Sequence, residues 1–358
     1  MTREVAWKVV VRHSSPPAPR RGRGPGRTPA RRWARARRRD GSNVGALRIL
    51  LVVNAFASSV TARNTVVVHR ELSRGNEVEV VETNRRGHAT RFAQDAARRG
   101  LDVVIGFGGD GTLNEVATGV AGTDTALGVL PGGSTNVFAR TIGMANDPVR
   151  AARQLAGGIA AGDITPIGLG EVNGRSFCFH TGIGYDAAVV DAVERRASLK
   201  RWLGHPLFIS ASLRTWAVGY DRRRPHFALG GVDAGGTPWE VPDGYFTVVL
   251  NTNPYTYLGN RPLDLSPAAT LDRGLVAVTF RTMRATAILG SLAGALRGGG
   301  VRPSAHLDVR TDLTELVVTA IDDRPFPYQV DGDFLGDTRA LRFRHRPDAV
   351  RLVRPAAG

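Results

Sequence analysis

The chain has 358 residues, a single cysteine and no long apolar run. The lone Cys178 excludes an internal disulfide and a cysteine metal cluster, and it is consistent with a reducing cytoplasm. No apolar run approaches the roughly 18 residues that a membrane-spanning helix needs. These absences predict a cytoplasmic protein whose contact with a membrane would be peripheral.

Acidic residues are scarce at the amino-terminal end. Residues 1–40 hold twelve arginines and one lysine against Glu4 and Asp40, and therefore +11 of the formal +16 charge. This Arg-, Pro- and Gly-rich composition cannot bury enough apolar surface to fold, so residues 1–45 are predicted to be a disordered tail. An anchor for anionic membranes, a nucleic-acid-binding arm and translation from an upstream start codon all stay open for it. Nucleic-acid contact is expected only through this tail.

The sequence pattern of the remaining chain changes near residue 167. Apolar runs that indicate strands alternate with helical patterns up to residue 166, as at Leu47–Val53 and Thr125–Leu130. From residue 167, short alternating segments follow one another, and Asn173-Gly174 between two of them predicts a hairpin. Helices are expected at 187–218 and 284–296. The pattern predicts an α/β domain over 46–166, followed by an antiparallel β-sandwich over 167–340.

A glycine-rich turn, Gly106-Phe-Gly-Gly-Asp-Gly-Thr-Leu-Asn-Glu-Val116, connects a predicted strand to a predicted helix. Its glycines let the backbone approach an anion, and the helix N-terminus attracts negative charge, so the turn predicts a nucleotide phosphate site. Asp110 would repel a phosphate unless a cation lies between them or the carboxylate grips a sugar or an amide, which suggests a metal–nucleotide complex. A plain turn with an Asp-Gly corner is the alternative. The spacing matches neither the dinucleotide fingerprint nor a Walker A loop.

A second turn, Pro131-Gly-Gly-Ser-Thr-Asn136, repeats this order after the next predicted strand. Consecutive strand-to-helix loops of a parallel sheet emerge at the same edge, so both turns are expected to face one ligand. Asn54 and Thr83 follow two earlier strands and would line the same cleft. Helix capping is the alternative explanation for Asn54 or Ser134 taken singly.

In this order, Gly108-Gly-Asp-Gly-Thr112, Pro131-x-Gly-Ser-x-Asn136, Gly182-Ile-Gly-Tyr-Asp186 and Asp331-Gly-Asp333 resemble the diacylglycerol kinase catalytic-domain family. The resemblance spans residues 46 to about 355, and the residues of the second turn look like those of actinobacterial members. It implies a nucleotide domain similar to those of NAD kinases and phosphofructokinases, a β-sandwich that faces the lipid, and a segment, 341–358, that returns to the first domain. It also implies ATP with Mg²⁺, and a lipid substrate met at the inner face of the membrane.

The resemblance assigns the residues of the site. ATP contacts are implied for Asn54, Thr83, Gly108, Gly109, Asp110, Gly111, Thr112, Leu113, Asn114 and Ser134. The proton acceptor for the attacking hydroxyl is implied at Asp333, where related kinases carry glutamate. The shorter side chain loses about 1.5 Å of reach, the length of one carbon–carbon bond. Asp331 would stabilise the turn or help to order a cation. On the residues alone, such a turn is more often a hairpin corner, and the order of the motifs in the family favours the catalytic role.

Related bacterial kinases hold a structural magnesium in a segment similar to Ala269-Thr-Leu-Asp-Arg-Gly-Leu275, in which an acid directly precedes the glycine. Here Arg273 stands at that position and leaves Asp272 one residue early. Asp272 is therefore the one metal ligand that the resemblance implies in this segment. A guanidinium could replace the cation by pairing with a nearby acid, so the structural site is expected to be altered.

Substrate identity is not fixed by these motifs. The first hypothesis is an ATP-dependent kinase that phosphorylates a primary hydroxyl of a diacylglycerol-like lipid. A kinase for a sphingoid base or NAD, and a catalytically silent nucleotide-binding protein, stay open. Residues 198–224 combine aromatic and cationic side chains that suit an anionic interface, and 251–257 could line the acceptor pocket. No obligatory protein partner is expected, and a monomer and a homodimer are both open.

Overall fold

The computed structural model describes residues 46–195, 210–232 and 236–357. The predicted tail, residues 1–45, lies outside the described residues, as does the stretch 196–209 of the predicted helix 187–218. Within the described ranges, no helix is both long enough and apolar enough to cross a bilayer.

The first half of the described chain is a parallel sheet with helical connections. Its strands are β1 (Leu47–Val53), β2 (Asn76–Glu82), β3 (Val103–Gly108) and β4 (Ala126–Pro131), in the order β2-β1-β3-β4. The helices are α1 (Ala62–Leu72), α2 (His88–Arg98), α3 (Asp110–Val120), α4 (Val137–Thr141) and α5 (Pro148–Ala161). Asp147 caps α5 by accepting from the Arg150 amide at 2.8 Å, and a proline occupies the first helical position. β3 and β4 are buried along their whole length, as strands covered on both faces are.

Antiparallel strands dominate the second half. They are β5 (Ile164–Val172), β6 (Arg175–Phe177), β7 (His180–Gly184), β8 (Phe227–Val232), β9 (Pro238–Gly244), β10 (Phe246–Leu250), β11 (Thr256–Leu258), β12 (Arg261–Leu263), β13 (Leu275–Phe280), β14 (Leu307–Leu313), β15 (Glu315–Ala320), β16 (Phe326–Val330), β17 (Asp333–Thr338) and β18 (Ala340–Val353). The helical elements are α6 (Tyr185–Glu194), residues 210–214 with the π-helical turn Thr215–Gly219 that follows them, and α7 (Ala285–Leu296).

Two sheets pack face to face in this half. A six-stranded sheet has the order β14-β13-β10-β7-β16-β17, and β18, β15, β8 and β9 belong to a ten-stranded sheet that also contains the parallel strands. The shared core includes Phe177, Phe227, Phe326 and Phe343, each fully buried. The predicted fold class, an α/β nucleotide-type domain with an antiparallel β-sandwich, is confirmed.

The long strand β18 joins the two halves. Near its start it pairs with β15, and Arg351 and Leu352 near its end pair in parallel with β4. Beyond Arg344, β18 continues to Val353 across an irregularity between Arg346 and Val350. The antiparallel partner β5 keeps the continuation in the sheet, and a local apolar pattern does not reveal such a long-range pairing.

The hairpin predicted at Asn173-Gly174 is present between β5 and β6. Both turn residues have positive φ, 48° for Asn173 and 85° for Gly174. This is the backbone that a two-residue hairpin with the twist of its strands requires, and Asn-Gly adopts it readily. The prediction is confirmed, and the turn brings Arg175 to the start of β6.

Candidate active site

The two glycine turns lie against each other at the carboxyl edge of the parallel strands. The Gly132 amide donates to the Gly108 carbonyl at 2.7 Å. A Cβ on Gly132 would lie 2.8 Å from the Gly108 Cα, and one on Gly133 would lie 2.8 Å from the Gly109 Cα. Only glycine permits this backbone contact. The structure therefore brings together the two turns that the sequence predicted to face one ligand.

Asp110 holds the second turn to the first. Its carboxylate accepts from the amides of Val137 at 2.9 Å and Phe138 at 3.1 Å, at the start of α4. Burial raises the pKa of Asp110, and the two amide hydrogen bonds oppose that rise. Among the roles that the sequence left open for Asp110, the structure shows the grip on backbone amides.

The second turn is shaped by Asn136, which has a left-handed φ of 52°. Its side-chain oxygen accepts from the Gly133 amide at 2.8 Å, and its nitrogen donates to the Gly133 carbonyl at 2.8 Å and to Asn146 Oδ1 at 2.7 Å. Ser134, within the turn, is exposed. The serine therefore faces outward beside Gly109, while the asparagine fixes the loop.

Asn54 and Thr83 directly follow β1 and β2 and lie at the same carboxyl edge of the parallel strands. The Asn54 Nδ2 donates to Thr112 Oγ1 at 2.9 Å, so the end of β1 contacts the first turn of α3. Thr83 is buried at the end of β2, where its amide donates to the Val53 carbonyl at 2.8 Å. Leu113 differs from its neighbours, because its side chain is only 1 % exposed and lies in the core. It supports the turn from beneath, and its side chain does not face the cleft.

Asn114 connects α3 to the late turn that carries the predicted catalytic acid. Its Nδ2 donates to Asp331 Oδ2 at 2.7 Å and to the Ser176 carbonyl at 2.9 Å. Both side chains are buried. This contact joins residues that are 217 positions apart, and it fixes the Asp331-Gly332-Asp333 turn next to the glycine turns.

Asp331 is the most heavily bonded carboxylate of the turn. Besides Asn114, it accepts from the amides of Cys178 at 2.7 Å, Phe179 at 3.0 Å and His180 at 3.1 Å. Burial raises the pKa of Asp331 to about 6 against the opposing effect of these hydrogen bonds. The sequence anticipated a turn-stabilising role for Asp331, and the structure shows that it also joins the loop after β6 to α3.

Asp333 lies in a different environment two residues later. Its side chain is 28 % exposed and pairs with Arg86 at 3.4 Å and Arg175 at 3.2 Å. Arg86 belongs to the loop after β2, just past Thr83, and Arg175 begins β6. Asp333 therefore lies at the same edge as Thr83. Sequence reasoning missed both arginines, although Arg85-Arg86 directly after a strand end was a usable signal.

The Gly182-Ile-Gly-Tyr-Asp186 motif supports this turn from the sandwich side. The Gln329 side chain accepts from the Gly332 amide at 2.8 Å and donates to Asp186 Oδ2 at 2.9 Å. The Tyr255 hydroxyl donates to Asp186 Oδ1 at 2.5 Å. A Cβ on Gly182 would lie 1.5 Å from Asp186 Oδ2, so only glycine leaves room for the carboxylate. Burial raises the pKa of Asp186.

The predicted acceptor-pocket stretch, residues 251–257, contacts both halves. The Tyr257 ring lies beneath the Arg140 guanidinium at 3.6 Å, and Arg140 also donates to the Gly259 carbonyl at 3.1 Å. Tyr255 reaches Asp186, as described above. Lining of an acceptor pocket by this stretch stays a prediction.

The residues of the predicted metal segment do not assemble a ligand set. Asp272 is exposed, and a hydrogen bond from Thr270 lowers the pKa of its carboxyl. Arg273 lies 3.6 Å from Asp312, whose other oxygen accepts from the Gly274 amide at 2.9 Å. Across the described residues, no cluster of three or more His, Cys, Asp or Glu side chains could hold a metal ion. Arg273 thus pairs with Asp312, and Asp272 takes no part in that ion pair.

Comparison with known proteins agrees with this architecture. The family model described as diacylglycerol kinase catalytic domain matches residues 48–172. A probable lipid kinase YegS-like of Pseudomonas aeruginosa PAO1 is 32 % identical over 314 residues, which cover 86 % of this chain and 95 % of the relative. The diacylglycerol kinase of Bacillus subtilis strain 168 is 42 % identical over 106 residues, which cover 29 % of this chain and 34 % of that protein.

A solved structure has the same fold. The crystal structure of a diacylglycerol kinase from Bacillus anthracis strain Sterne superposes with a TM-score of 0.62 at 19 % identity, and covers 86 % of this chain and 96 % of that one. The similarity to the YegS-like relative over 86 % of this chain identifies the class of protein as the lipid kinases. The chain belongs to the diacylglycerol kinase catalytic-domain family, together with the YegS-like lipid kinases.

Proposed function

We propose that this protein transfers the γ-phosphate of ATP to a primary hydroxyl of a diacylglycerol-like lipid. The observation that carries the proposal is the assembly of three turns by hydrogen bonds. Asp110 ties the first glycine turn to the second, and Asn114 ties it to Asp331. A phosphate cradle and an accessible carboxylate, Asp333, are thereby held at one sheet edge.

The glycine turns would bind the phosphates of ATP, which enters as its Mg²⁺ complex. The first amides of α3 lack intrahelical acceptors, as at every helix start, and Gly109, which precedes the helix, lies against Gly133 of the second turn. Ser134 adds an exposed hydroxyl there. Asn54 and Thr83 would bound the cleft on the side of the nucleoside.

Asp333 would accept the proton of the attacking hydroxyl. In this step the hydroxyl oxygen forms a bond to the γ-phosphorus, the bond from that phosphorus to the β-phosphate oxygen breaks, and ADP leaves. Arg86 and Arg175, which flank Asp333, would neutralise charge on the phosphoryl oxygens. Asp331 and Gln329 position the turn and take no part in proton transfer.

The test is a transfer assay with labelled ATP and Mg²⁺. Acceptors are presented in parallel: diacylglycerol in mixed micelles, sphingosine, NAD, and water alone. We expect label in phosphatidic acid. Label in sphingosine phosphate or NADP would replace the acceptor assignment and keep the kinase chemistry. Nucleotide binding without transfer to any acceptor would overturn the proposal in favour of a silent nucleotide-binding protein.

A further inference from the structure

Helix α7 is apolar where it faces solvent. Residues 285–296 contain no charged side chain, and only Ala295 is buried. Leu289 is 62 % exposed, Leu292 38 % and Leu296 40 %. A surface helix normally turns a polar face to water, and a helix that is apolar on all sides is normally buried. The exposed face of α7 therefore lacks a cover within the described residues.

A second apolar segment lies beside the start of α7. In residues 210–219, Leu213 is 65 % and Val218 80 % exposed. All the exposed leucines of the described residues lie in these two segments. The Trp216 Nε1 donates to the Met283 carbonyl at 3.2 Å, which fixes the π-helical turn against the residues that precede α7. A groove of about 810 Å³ opens between them, lined by Val218, Trp216 and Ala285.

Cationic side chains surround this apolar area. Arg284 and Arg297 flank α7, and Arg222 and Arg223 follow the π-helical turn; all four are exposed. Residues 274–307 contain no acid. The docking face is defined here as Leu213, Val218, Leu289, Leu292 and Leu296, with Arg222, Arg223, Arg284 and Arg297 around them.

The acids nearest to the docking face have partners elsewhere. Asp221 pairs with Arg224 at 3.4 Å and with Arg324 at 3.5 Å. The Asp264 carboxylate accepts from Asn253 at 3.0 Å. Neither Arg284 nor Arg297 forms an ion pair with another described residue. Within the part of the chain that the structure describes, the charges of Arg284 and Arg297 thus have no acidic partner.

We propose that the docking face binds the surface of an anionic lipid bilayer. Exposed leucines that enter the headgroup boundary and arginines that meet anionic headgroups are the two attractions that hold interfacial helices on membranes. The inference rests on the proposed function in one respect, since a kinase with a lipid acceptor must collect it from a membrane. Docking itself requires no phosphoryl transfer.

The fold places the docking face next to the acceptor side of the site. The Asp264 amide, just after β12, donates to the Ala295 carbonyl of α7 at 3.1 Å. The β11–β12 hairpin also carries Tyr257, whose ring lies beneath Arg140 of α4. The β11–β12 hairpin would therefore connect a bilayer bound at α7 to α4, the helix that follows the second glycine turn.

A second copy of the chain is the competing occupant, and charge disfavours it. Two α7 helices related by a twofold axis and packed antiparallel would bring Arg284 of one copy toward Arg297 of the other. Without acids in residues 274–307, these like charges would repel. An anionic membrane supplies the missing opposite charge.

The first experiment reports on the face itself and not on the basic tail. In the full chain, Leu289→Cys is labelled with an environment-sensitive fluorophore, while the buried Cys178 is protected from the reagent. We expect a blue shift with vesicles of phosphatidylcholine and phosphatidylglycerol, and none with phosphatidylcholine alone. The matched control is Val66→Cys on α1, which is 68 % exposed. An unshifted Leu289 label on vesicle-bound protein would overturn the proposal.

The second experiment measures binding by co-sedimentation with the same anionic vesicles. We expect the Arg284→Ala/Arg297→Ala variant to bind at least about tenfold more weakly, because each basic residue near such a surface contributes. The control is Arg63→Ala/Arg153→Ala, two exposed arginines of α1 and α5, which should bind like the parent. Equal loss in both variants would assign the binding to net charge alone and overturn the proposal.

Two further measurements distinguish a membrane from a second copy as the occupant of the docking face, and distinguish docking from phosphoryl transfer. A Leu289→Ser/Leu292→Ser/Leu296→Ser variant should lose vesicle binding and keep the elution volume of the parent. A shift from dimer to monomer with unchanged vesicle binding would assign the face to a second copy and overturn the proposal. Asp333→Asn should bind vesicles like the parent, so failed transfer with intact docking would count against the proposed function alone.

Discussion

Asp331 and Asp333 are two residues apart on one turn and lie in opposite surroundings. Asp331 is buried, accepts four hydrogen bonds, three of them from backbone amides, and forms no ion pair with another described residue. Asp333 is partly exposed, and its contacts are two guanidinium groups. The difference teaches that burial and bonding select the structural carboxylate, while accessibility and nearby positive charge select the one that can meet a phosphoryl group.

The largest effect is expected on turnover when Asp333 is changed. Asp333→Asn removes the proposed proton acceptor and should lower kcat by about 10²–10⁴-fold, the usual contribution of a general base. Its melting temperature should stay near that of the parent, because only partly exposed ion pairs are lost. Steady-state kinetics with diacylglycerol measures the loss.

Two variants control this result. Asp337→Asn changes an exposed acid of the same strand β17 and should leave kcat unchanged. Asp333→Glu keeps a carboxylate with longer reach and should retain measurable turnover. If Asp333→Asn kept more than a tenth of the parent rate, proton acceptance by Asp333 would be wrong.

The second effect is expected on stability when Asp331 is changed. Asp331→Ala leaves three buried amides and the Asn114 side chain without their acceptor, and should lower the free energy of unfolding by about 3 kcal/mol. Urea unfolding at neutral pH measures this loss. Asn114→Ala is the comparison and should cost less, since the three amides keep their carboxylate. A loss below that of Asn114→Ala would contradict the structural role of Asp331.

A third test uses the pH dependence of folding stability to examine the buried carboxylate of Asp331. Because the pKa of Asp331 is raised to about 6, the folded protein binds this proton more tightly than the unfolded chain does. Its stabilising contribution is therefore complete below the unfolded pKa near 4 and is lost as pH rises through 6, by roughly 3 kcal/mol. Relative to the parent, Asp331→Asn should lack this loss between pH 4.5 and about 7. An Asp331→Asn profile parallel to that of the parent would refute the assignment.

Sequence patterns predicted what depends on neighbours along the chain. The strand Leu47–Val53 has the predicted bounds, and the Asn173-Gly174 hairpin has the backbone that such a turn requires. Apolar runs and turn residues act over a few positions, so they are readable without the fold. The convergence of the two glycine turns was also predictable, because it follows from parallel strand order.

The parts that were not predicted depend on contacts between distant residues. Arg86 and Asp333 are 247 positions apart, and Asn114 and Asp331 are 217 apart. The role of Asp110 was left among three alternatives, because only the fold shows that α4 presents its first amides to that carboxylate. The exposure of α7 was likewise hidden, since its apolar pattern is equally typical of a core helix.

The smallest expected effect distinguishes two similar ion pairs. Arg86–Asp333 and Arg273–Asp312 have separations of 3.4 and 3.6 Å, and both pairs are partly exposed. Arg86→Ala and Arg273→Ala should each change the free energy of unfolding by less than about 1 kcal/mol, because solvent screens such pairs. Only Arg86→Ala should lower kcat, by about tenfold, because Arg175 still supplies a second guanidinium beside Asp333.

Comparing kcat between the two variants decides whether the positive charge beside Asp333 contributes to phosphoryl transfer. Equal kcat in both would mean that Arg86 only neutralises a surface acid, as Arg273 neutralises Asp312. A deficit confined to Arg86→Ala, restored in part by Arg86→Lys, would tie the guanidinium to the phosphoryl group, since an ammonium keeps the charge but not the planar fork. An exposed Asp–Arg pair would then mark the site only where it lies beside a phosphate cradle.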